Sequence, residues 1–211
     1  DGTINLTDVT LNTNNAGVAP ATAAPGNGGG LHITGTADVN VTGGTVDANV
    51  AASEGGGLWN GTGIMTVDAT PISNNIASGD DATNGGGGIF NDGGTLNVLA
   101  GTNINNNLAN GISGSGGGIF STDGTVTISA ATITNNIANR AGGGIEVVEV
   151  VNSVGGERES KNLSLSDLSE VCGVTKSHIS KIETGERIGK LETIAKIFKG
   201  LEIPFAAIDD L

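Results

Sequence analysis

The sequence predicts two units of different fold class, an all-β right-handed parallel β-helix followed by a small all-α unit. Three observations predict this division. Glycine runs that end in an aliphatic residue recur along the first part, hydrophobic spacing changes to a period of 3.6 from about residue 162, and charge is unevenly distributed. We place the β-helix at residues 1–148, a junction with a degenerate first helix at 149–161, and the helical unit at 162–211.

Charge separates the two parts further. The net charge of the chain is −13, and through Asn152 a single basic residue, Arg140, faces twelve acidic residues. From Ser153 onward, eight lysines and arginines face ten acidic residues. The acidity therefore belongs to the first part, which leaves the second part free to carry a basic face that could meet phosphate.

The first repeat landmark is a glycine run followed by Leu31, Leu58, Ile89, Ile119 and Ile145, so that these residues recur after 27, 31, 30 and 26 positions. A unit of this size cannot bury its own apolar face, so successive units must stack. Parallel crossovers are almost always right-handed. The repeat therefore predicts a right-handed coil of four to five turns, in which these five residues form one internal ladder.

Two further landmarks keep phase with the first. The motif Asn-Asn-Ile/Leu-Ala occurs at residues 74–77, 106–109 and 135–138, with a weaker form at Asn14-Asn15, and Gly-Thr-apolar-x-apolar occurs at 94–98 and 124–128. Each coil thus offers three short β-prone segments, and stacked asparagines are expected to form amide ladders.

These glycine and asparagine motifs resemble the repeats of bacterial surface and autotransporter-type β-helix proteins over roughly residues 1–148. The resemblance implies the fold, but such solenoids serve as lyases, adhesins, tailspikes and spacers, so it does not imply one function.

Catalysis in the repeat would require carboxylates that converge on one groove. The acidic residues are instead scattered, and Arg140 is the only basic one. Asp80 and Asp81 lack the repeated motif of calcium-binding ladders, and the threonine array that an ice-binding face needs is interrupted. We therefore expect no enzyme activity, no metal and no cofactor.

An aromatic strip follows the aliphatic ladder by one residue, at His32, Trp59, Phe90 and Phe120, and ends at Glu146. Strand alternation turns these positions outward. Two interpretations stay open: an exposed strip that stacks on sugar rings or a protein partner, or rings that stack on one another beneath a loop such as 79–85, which we favour.

The second part contains helix signals. Ser164 can cap a helix carrying Leu165, Leu168 and Val171, with Asp167 completing a capping box and Cys172-Gly173 ending it. Thr175 can cap a second helix from Lys176 to about Thr184 that turns Ile179 and Ile182 inward and stops at Gly185. A third helix is predicted near residues 191–201 and a last turn at 204–211.

The segments 163–168, 173–187 and 191–197 resemble the Cro/XRE family of helix-turn-helix DNA-binding domains over about 50 residues. The resemblance implies that the second helix enters the major groove of DNA. It assigns base and phosphate contacts to Lys176, Ser177, Ser180 and Lys181 beside the cap Thr175. It further assigns phosphate contacts to Arg187 and to Ser164 or Ser166.

Upstream, Val154-Gly155-Gly156-Glu157 stands where the family carries its first helix. Two glycines cost roughly 2 kcal/mol of helix propensity relative to two alanines. We therefore expect this helix to be truncated, or rebuilt from Ile145 to Val154.

Two functions follow from these features. The first is a DNA-binding module carried on a non-catalytic β-helix, and the alternative is a surface adhesin whose helical end covers the open stack.

No segment is long and apolar enough to span a membrane. The two parts imply different compartments, cytoplasm for the helical unit and cell surface for the repeat, so localisation is left open. With a start in mid-repeat at Asp1, the conflict favours a fragment or a recombined or artificial fusion.

Overall fold

The computed structural model describes residues 2–148, 158, 161–183 and 191–201. The chain divides into two compact units, Asp1–Val150 and Val151–Leu211. The junction 149–157, Gly185, Arg187 and the predicted turn at 204–211 lie outside the described residues. Of the predicted rebuilt first helix, residues Ile145–Val148 form a β-strand instead, because they pair with the preceding coil.

The first unit consists of four parallel sheets, each with five strands from successive coils. The first sheet contains β1 Thr3–Thr7, β5 Asp38–Thr42, β9 Ile64–Asp68, β13 Thr95–Val98 and β17 Thr125–Ile128. The second contains β2 Thr10–Asn12, β6 Thr45–Asp47, β10 Pro71–Ser73, β14 Asn103–Asn105 and β18 Thr132–Thr134. The third contains β3 Asn15–Ala16, β7 Val50–Ala51, β11 Ile76–Ala77, β15 Leu108–Ala109 and β19 Ile137–Ala138. The fourth contains β4 Leu31–Ile33, β8 Leu58–Asn60, β12 Ile89–Asp92, β16 Ile119–Thr122 and β20 Ile145–Val148.

The predicted parallel solenoid of four to five coils is thus confirmed, although each coil has four strands and not three. The three landmarks cover strands of the fourth, third and first sheets. The second sheet was missed because its strands have only three residues each, too few to show alternation. The handedness of the coil stays a prediction.

The predicted aliphatic ladder is confirmed. Leu31, Leu58, Ile89, Ile119 and Ile145 pair in unbroken register along the fourth sheet. The three middle residues are fully buried, whereas Ile145 in the last coil is 39% exposed. From the second coil onward, the glycine three residues before each residue of this ladder has φ between 57° and 64°. This is a left-handed conformation in which a Cβ is disfavoured.

An asparagine ladder, buried in its three middle coils, runs parallel to this wall. It contains Asn14, Asn49, Asn75, Asn107 and Asn136, and each Nδ2 donates to the next Oδ1 at 2.8–2.9 Å. Only one asparagine of each predicted pair belongs to the ladder. The preceding residue has a positive φ, as at Asn74 (56°), and turns the corner. In the first coil the equivalent pair is therefore Thr13-Asn14 and not Asn14-Asn15.

The second unit contains α1 Leu165–Cys172, α2 Lys176–Glu183 and α3 Leu191–Gly200. All three match the predicted helices. A separate core of buried side chains joins them, formed by Leu168, Val174, Ile179, Ile182, Ile197 and Leu201. Val171, predicted among the apolar residues of α1, is 63% exposed because the inward face passes through Leu168. The side chains of Leu191, Ile194, Ala195 and Phe198 lie outside the described set. Within the described part of the chain, no helix has the length and apolar character to cross a membrane.

Candidate nucleic-acid interface

Helix α1 is capped at both ends. The Ser164 Oγ accepts from the Asp167 N–H at 3.2 Å, and the Ser164 N–H donates to Asp167 Oδ2 at 2.7 Å, which completes the predicted capping box. Gly173 adopts φ 68° and donates its N–H to the Ser169 carbonyl at 3.0 Å. The left-handed glycine closes the tight turn that leads into α2.

Helix α2 has one buried and one exposed side. Ile179 and Ile182 are buried in the core of the unit, at 0% and 9% exposure. Lys176, Ser177 and Lys181 are exposed and Ser180 is half-buried. Positions i, i+1, i+4 and i+5 lie on one side of a helix. The four residues predicted to meet DNA therefore share one face, opposite the core.

The start of α2 favours anions. The Thr175 carbonyl accepts from the N–H groups of His178 and Ile179 at 2.9 and 3.0 Å, as the cap position requires. Thr175 itself is exposed. The first turn of α2 contains no acidic residue. The positive end of the helix dipole and the Lys176 ammonium group thus act together on any phosphate placed there.

Residues at the start of α1 lie beside this surface. Two hydrogen bonds with Ser164 lower the pKa of Asp167, and the charge of Lys176 lowers it further. Ser164 and Ser166 are exposed. Because the Ser164 hydroxyl accepts from Asp167, its own O–H remains the donor it could offer a phosphate. Seven of the eight predicted DNA-contacting residues are described, and their contacts with DNA stay a prediction.

An ion pair that sequence reasoning missed lies on the side of α2 that carries Glu183. The Arg158 guanidinium donates through Nε to Glu183 Oε1 at 2.7 Å and through Nη2 to Oε2 at 3.1 Å. Its Nη1 donates to the Leu163 carbonyl at 2.8 Å. The side chains of Arg158 and Glu183 are only 13% and 11% exposed. The pair joins the segment before α1 to the end of α2 across 25 residues, a distance at which no sequence pattern signals pairing.

The aromatic strip of the solenoid is a stack and not an open surface. Trp59, Phe90 and Phe120 are 8%, 2% and 1% exposed and form a cluster of their own. The rings of Trp59 and Phe90 are parallel with centroids 6.3 Å apart, and His32 meets Trp59 edge-on at 4.5 Å. The rings thus stack on one another, as in the interpretation that we favour. A ligand role for the strip stays a prediction.

The largely buried carboxylate of Glu54 is hydrogen-bonded to the Trp59 ring of this stack. Glu54 Oε2 accepts from Trp59 Nε1 and from Asn27 Nδ2 at 3.0 Å each, and Oε1 accepts from Asn84 Nδ2 at 2.8 Å. Burial raises the pKa of Glu54 against the opposing effect of these hydrogen bonds, and the charge of Asp92 raises it further. The sequence gives no sign of this network, since its members come from three coils.

The pH dependence of this network is a direct test. Trp59 is the only tryptophan, and we expect its emission to titrate with a midpoint above 4.5, the ordinary pKa of glutamate. Because the folded-state pKa is raised, the stability that Glu54 contributes is present at low pH and is lost as pH rises through that pKa. In Glu54→Gln the transition should vanish. A midpoint at or below 4.5, or a transition that persists in the glutamine variant, would contradict the assignment.

Arg140, the only basic residue of the repeat, is engaged in holding loops together. It donates to Glu146 Oε1 at 2.8 Å, to the Ser115 hydroxyl at 2.8 Å and to the Ala82 carbonyl at 3.0 Å. These contacts join loops from three coils. In the described part of the chain, no group of three or more His, Cys, Asp or Glu residues is placed to hold a metal ion.

Comparison with known proteins identifies the second unit. Residues 157–208 match the family model described as helix-turn-helix, which covers 52 of the 211 residues. The match spans α1, α2 and α3 and includes Arg158. It confirms the resemblance of the C-terminal part, and such a domain suggests DNA binding. No curated protein and no solved structure matches the chain.

Proposed function

We propose that the chain binds double-stranded DNA through its helical unit, with α2 in the major groove, and that the solenoid is a non-catalytic scaffold. The observation that carries the proposal is the division of α2 into two sides. Ile179 and Ile182 are buried in the core, so Lys176 and Lys181 lie on the opposite side of α2, where both side chains are exposed.

The residues on this face divide between two kinds of contact. The lysine ammonium groups supply charge for phosphates, which position the protein without reading sequence. Ser177 and Ser180 carry short hydroxyls that can donate to or accept from base edges in the groove. No arginine or glutamine occurs within α2, so we expect sequence discrimination to be modest and affinity to depend mainly on phosphates.

The negative charge of the solenoid affects which part of the chain can contact DNA. Eleven net negative charges, twelve acidic residues against Arg140, lie in residues 1–152. Such a surface is repelled by the DNA backbone over about 8 Å at physiological salt. We therefore expect the helical unit alone to contact the duplex.

Replacing Lys176 or Lys181 with alanine should weaken DNA binding roughly tenfold each, the value of one charged hydrogen bond. The slope of log K against log salt should fall in magnitude by about one for each lysine. Fluorescence anisotropy of the full chain with a labelled duplex of mixed sequence, measured over a salt series, gives both quantities.

Lys199→Ala is the matched control. It removes the same charge from an exposed position of α3, outside the proposed face, and should leave the affinity within about twofold of the parent chain. An equal loss for Lys199→Ala and Lys176→Ala would mean that binding depends on net charge alone. Absence of binding by the parent chain at low salt would refute the proposed function.

The non-catalytic role of the solenoid and the fusion character of the chain are part of the same proposal. The two units have separate cores, and the charge of the first is strongly acidic whereas that of the second is nearly balanced. Arg140 and Glu54 are charged side chains of the kind that catalysis in a groove would require. Each is instead held by hydrogen bonds to neighbouring side chains of the solenoid. These features support a scaffold joined to an independent binding module.

The alternative of a surface adhesin has less support. Glycan binding by this strip would need exposed aromatic faces, and Trp59, Phe90 and Phe120 are buried. A change of Trp59 emission on addition of glycans would restore this alternative.

A further inference from the structure

Four asparagines of the solenoid are directly followed by glycine, at residues 27–28, 60–61, 84–85 and 110–111. Asn-Gly pairs are prone to lose ammonia, because glycine has no Cβ to keep its backbone nitrogen away from the asparagine side chain. The reaction requires a carboxamide that can rotate and a glycine N–H group that is not hydrogen-bonded. The fold therefore decides which of the four pairs can react.

Two of these pairs are held by Glu54. Asn27 Nδ2 donates to Glu54 Oε2 at 3.0 Å, and the Gly28 N–H donates to the Glu54 carbonyl at 2.9 Å. Asn84 Nδ2 donates to Glu54 Oε1 at 2.8 Å, and Asn84 Oδ1 accepts from the Asp81 N–H at 3.1 Å. Both carboxamides are fixed by these bonds, so neither can turn towards the nitrogen of its own glycine.

A third pair is enclosed inside a coil. Asn60 is 0% exposed, and its Nδ2 donates to Asn91 Oδ1 at 2.7 Å and to the Gly63 carbonyl at 3.2 Å. The Gly61 N–H donates to the Ile33 carbonyl at 2.8 Å. Both groups that would have to react are thus bonded, and burial keeps water from them.

Asn110 differs from the other three asparagines. It is exposed and lies between β15 and β16. Among the described residues, no hydrogen bond holds its carboxamide, and the Gly111 N–H donates to no acceptor. The two main-chain carbonyl groups are held instead, since Asn139 Nδ2 donates to that of Asn110 at 2.9 Å and to that of Gly111 at 3.0 Å. Both reacting groups therefore meet the requirement in the folded chain.

We propose that Asn110 is a site of spontaneous deamidation in the folded protein, and that the fold protects the other three Asn-Gly pairs. Base removes the proton of the Gly111 N–H, and the nitrogen attacks Asn110 Cγ. The N–Cγ bond forms, the Cγ–Nδ2 bond breaks, and ammonia leaves with a proton from water. Water then opens the resulting succinimide ring at either carbonyl group, which gives aspartate or isoaspartate. The modification is independent of the proposed DNA binding.

Both products disturb the pairing of this loop with its neighbours. In isoaspartate the main chain runs through the former side chain, so the carbonyl groups of Asn110 and Gly111 no longer match Asn139 Nδ2. Either product also adds a negative charge close to Asp80, whose Oδ1 accepts from the Ile112 N–H at 2.9 Å. Like charges repel. We therefore expect the modified solenoid to unfold at a lower urea concentration than the fresh protein.

The test incubates the full chain in mildly alkaline buffer and follows each Asn-Gly pair by peptide mapping with mass spectrometry. Exchange of –NH2 for –OH changes the mass, which separates deamidation from isomerised aspartate. In the folded chain Asn110 should react at least about tenfold faster than Asn27, Asn60 or Asn84, since each of these must first break two or more hydrogen bonds. In chain unfolded by urea, the difference should disappear.

Asn110→Gln is the matched control. It keeps an exposed carboxamide, and glutamine closes the corresponding ring far more slowly. The urea midpoint of this variant, followed by Trp59 emission, should stay constant during incubation, whereas that of the parent chain should fall as Asn110 is lost. Equal falls in both chains would contradict the effect assigned to the loop.

Two results overturn the proposed site. In the first, Asn110 stays intact in the folded chain while it reacts in the unfolded chain. In the second, all four asparagines react at equal rates in the folded chain, which would mean that the hydrogen bonds of Asn27, Asn60 and Asn84 do not protect them.

Discussion

Replacing Asn75 with alanine is expected to lower the free energy of unfolding of the solenoid by roughly 3–6 kcal/mol, since two or more buried polar groups lose their partners at about 1–3 kcal/mol each. Asn75 is 0% exposed. Its Oδ1 accepts from the Asn49 N–H and Nδ2, and its Nδ2 donates to the Val46 carbonyl and to Asn107 Oδ1, all at 2.9–3.0 Å. Alanine leaves the Asn49 N–H and the Val46 carbonyl without these partners inside the coil, where water cannot replace them.

Two variants give the comparison. Asn5→Ala removes an outward-facing asparagine whose Oδ1 accepts from Asn40 Nδ2 at 2.9 Å in an exposed ladder. Water can take over that bond, so the expected cost is below about 1 kcal/mol. Asn75→Asp keeps the acceptors, but it removes the donor and adds a buried charge, so it should cost at least as much as alanine.

Urea unfolding followed by Trp59 emission measures these costs in the solenoid alone, because the single tryptophan lies in that unit. An equal shift of the unfolding midpoint for Asn75→Ala and Asn5→Ala would show that the internal ladder is not a main source of stability.

The rows that hold the solenoid together could be predicted because they repeat. A side chain that returns in each coil, such as Leu58 or Ile89, must stack on its equivalent whatever the exact turn geometry. The choice of ladder asparagine could not be predicted, since Asn74 and Asn75 are adjacent and identical. Only the backbone decides, and it places Asn74 at a corner with φ 56°.

In the helical unit, too, local features could be predicted from the sequence and a long-range contact could not. Capping residues are local signals, so the box of Ser164 and Asp167 and the stop at Gly173 could be predicted from the sequence. The inward side of α2 followed from the spacing of Ile179 and Ile182. The Arg158–Glu183 pair could not be predicted, since it joins residues that are 25 positions apart and belong to no shared motif.

Breaking the Arg158–Glu183 pair is expected to lower the free energy of unfolding of the helical unit by an amount similar to the loss that Asn75→Ala causes in the solenoid. Arg158→Met leaves the Glu183 carboxylate largely buried without its bidentate partner, and such losses cost about 3–5 kcal/mol. A helical unit of this size has a total stability on the order of 3–5 kcal/mol. The variant should therefore lose most of its helical signal and its DNA binding near room temperature.

A second substitution separates loss of the pair from loss of the arginine. In the double variant Arg158→Met, Glu183→Leu, no charge is buried, and apolar packing can replace the pair at little cost. We expect it to recover most of the helical signal, whereas Arg158→Met alone does not. Circular dichroism at the helix band follows this unit, while Trp59 emission should show the solenoid unchanged in both variants. If Arg158→Met retains the parent stability, or if the double variant is no better than the single one, the pair does not hold α2 in place. The position of α2 then depends on the apolar core of Leu168, Ile179 and Ile197 alone.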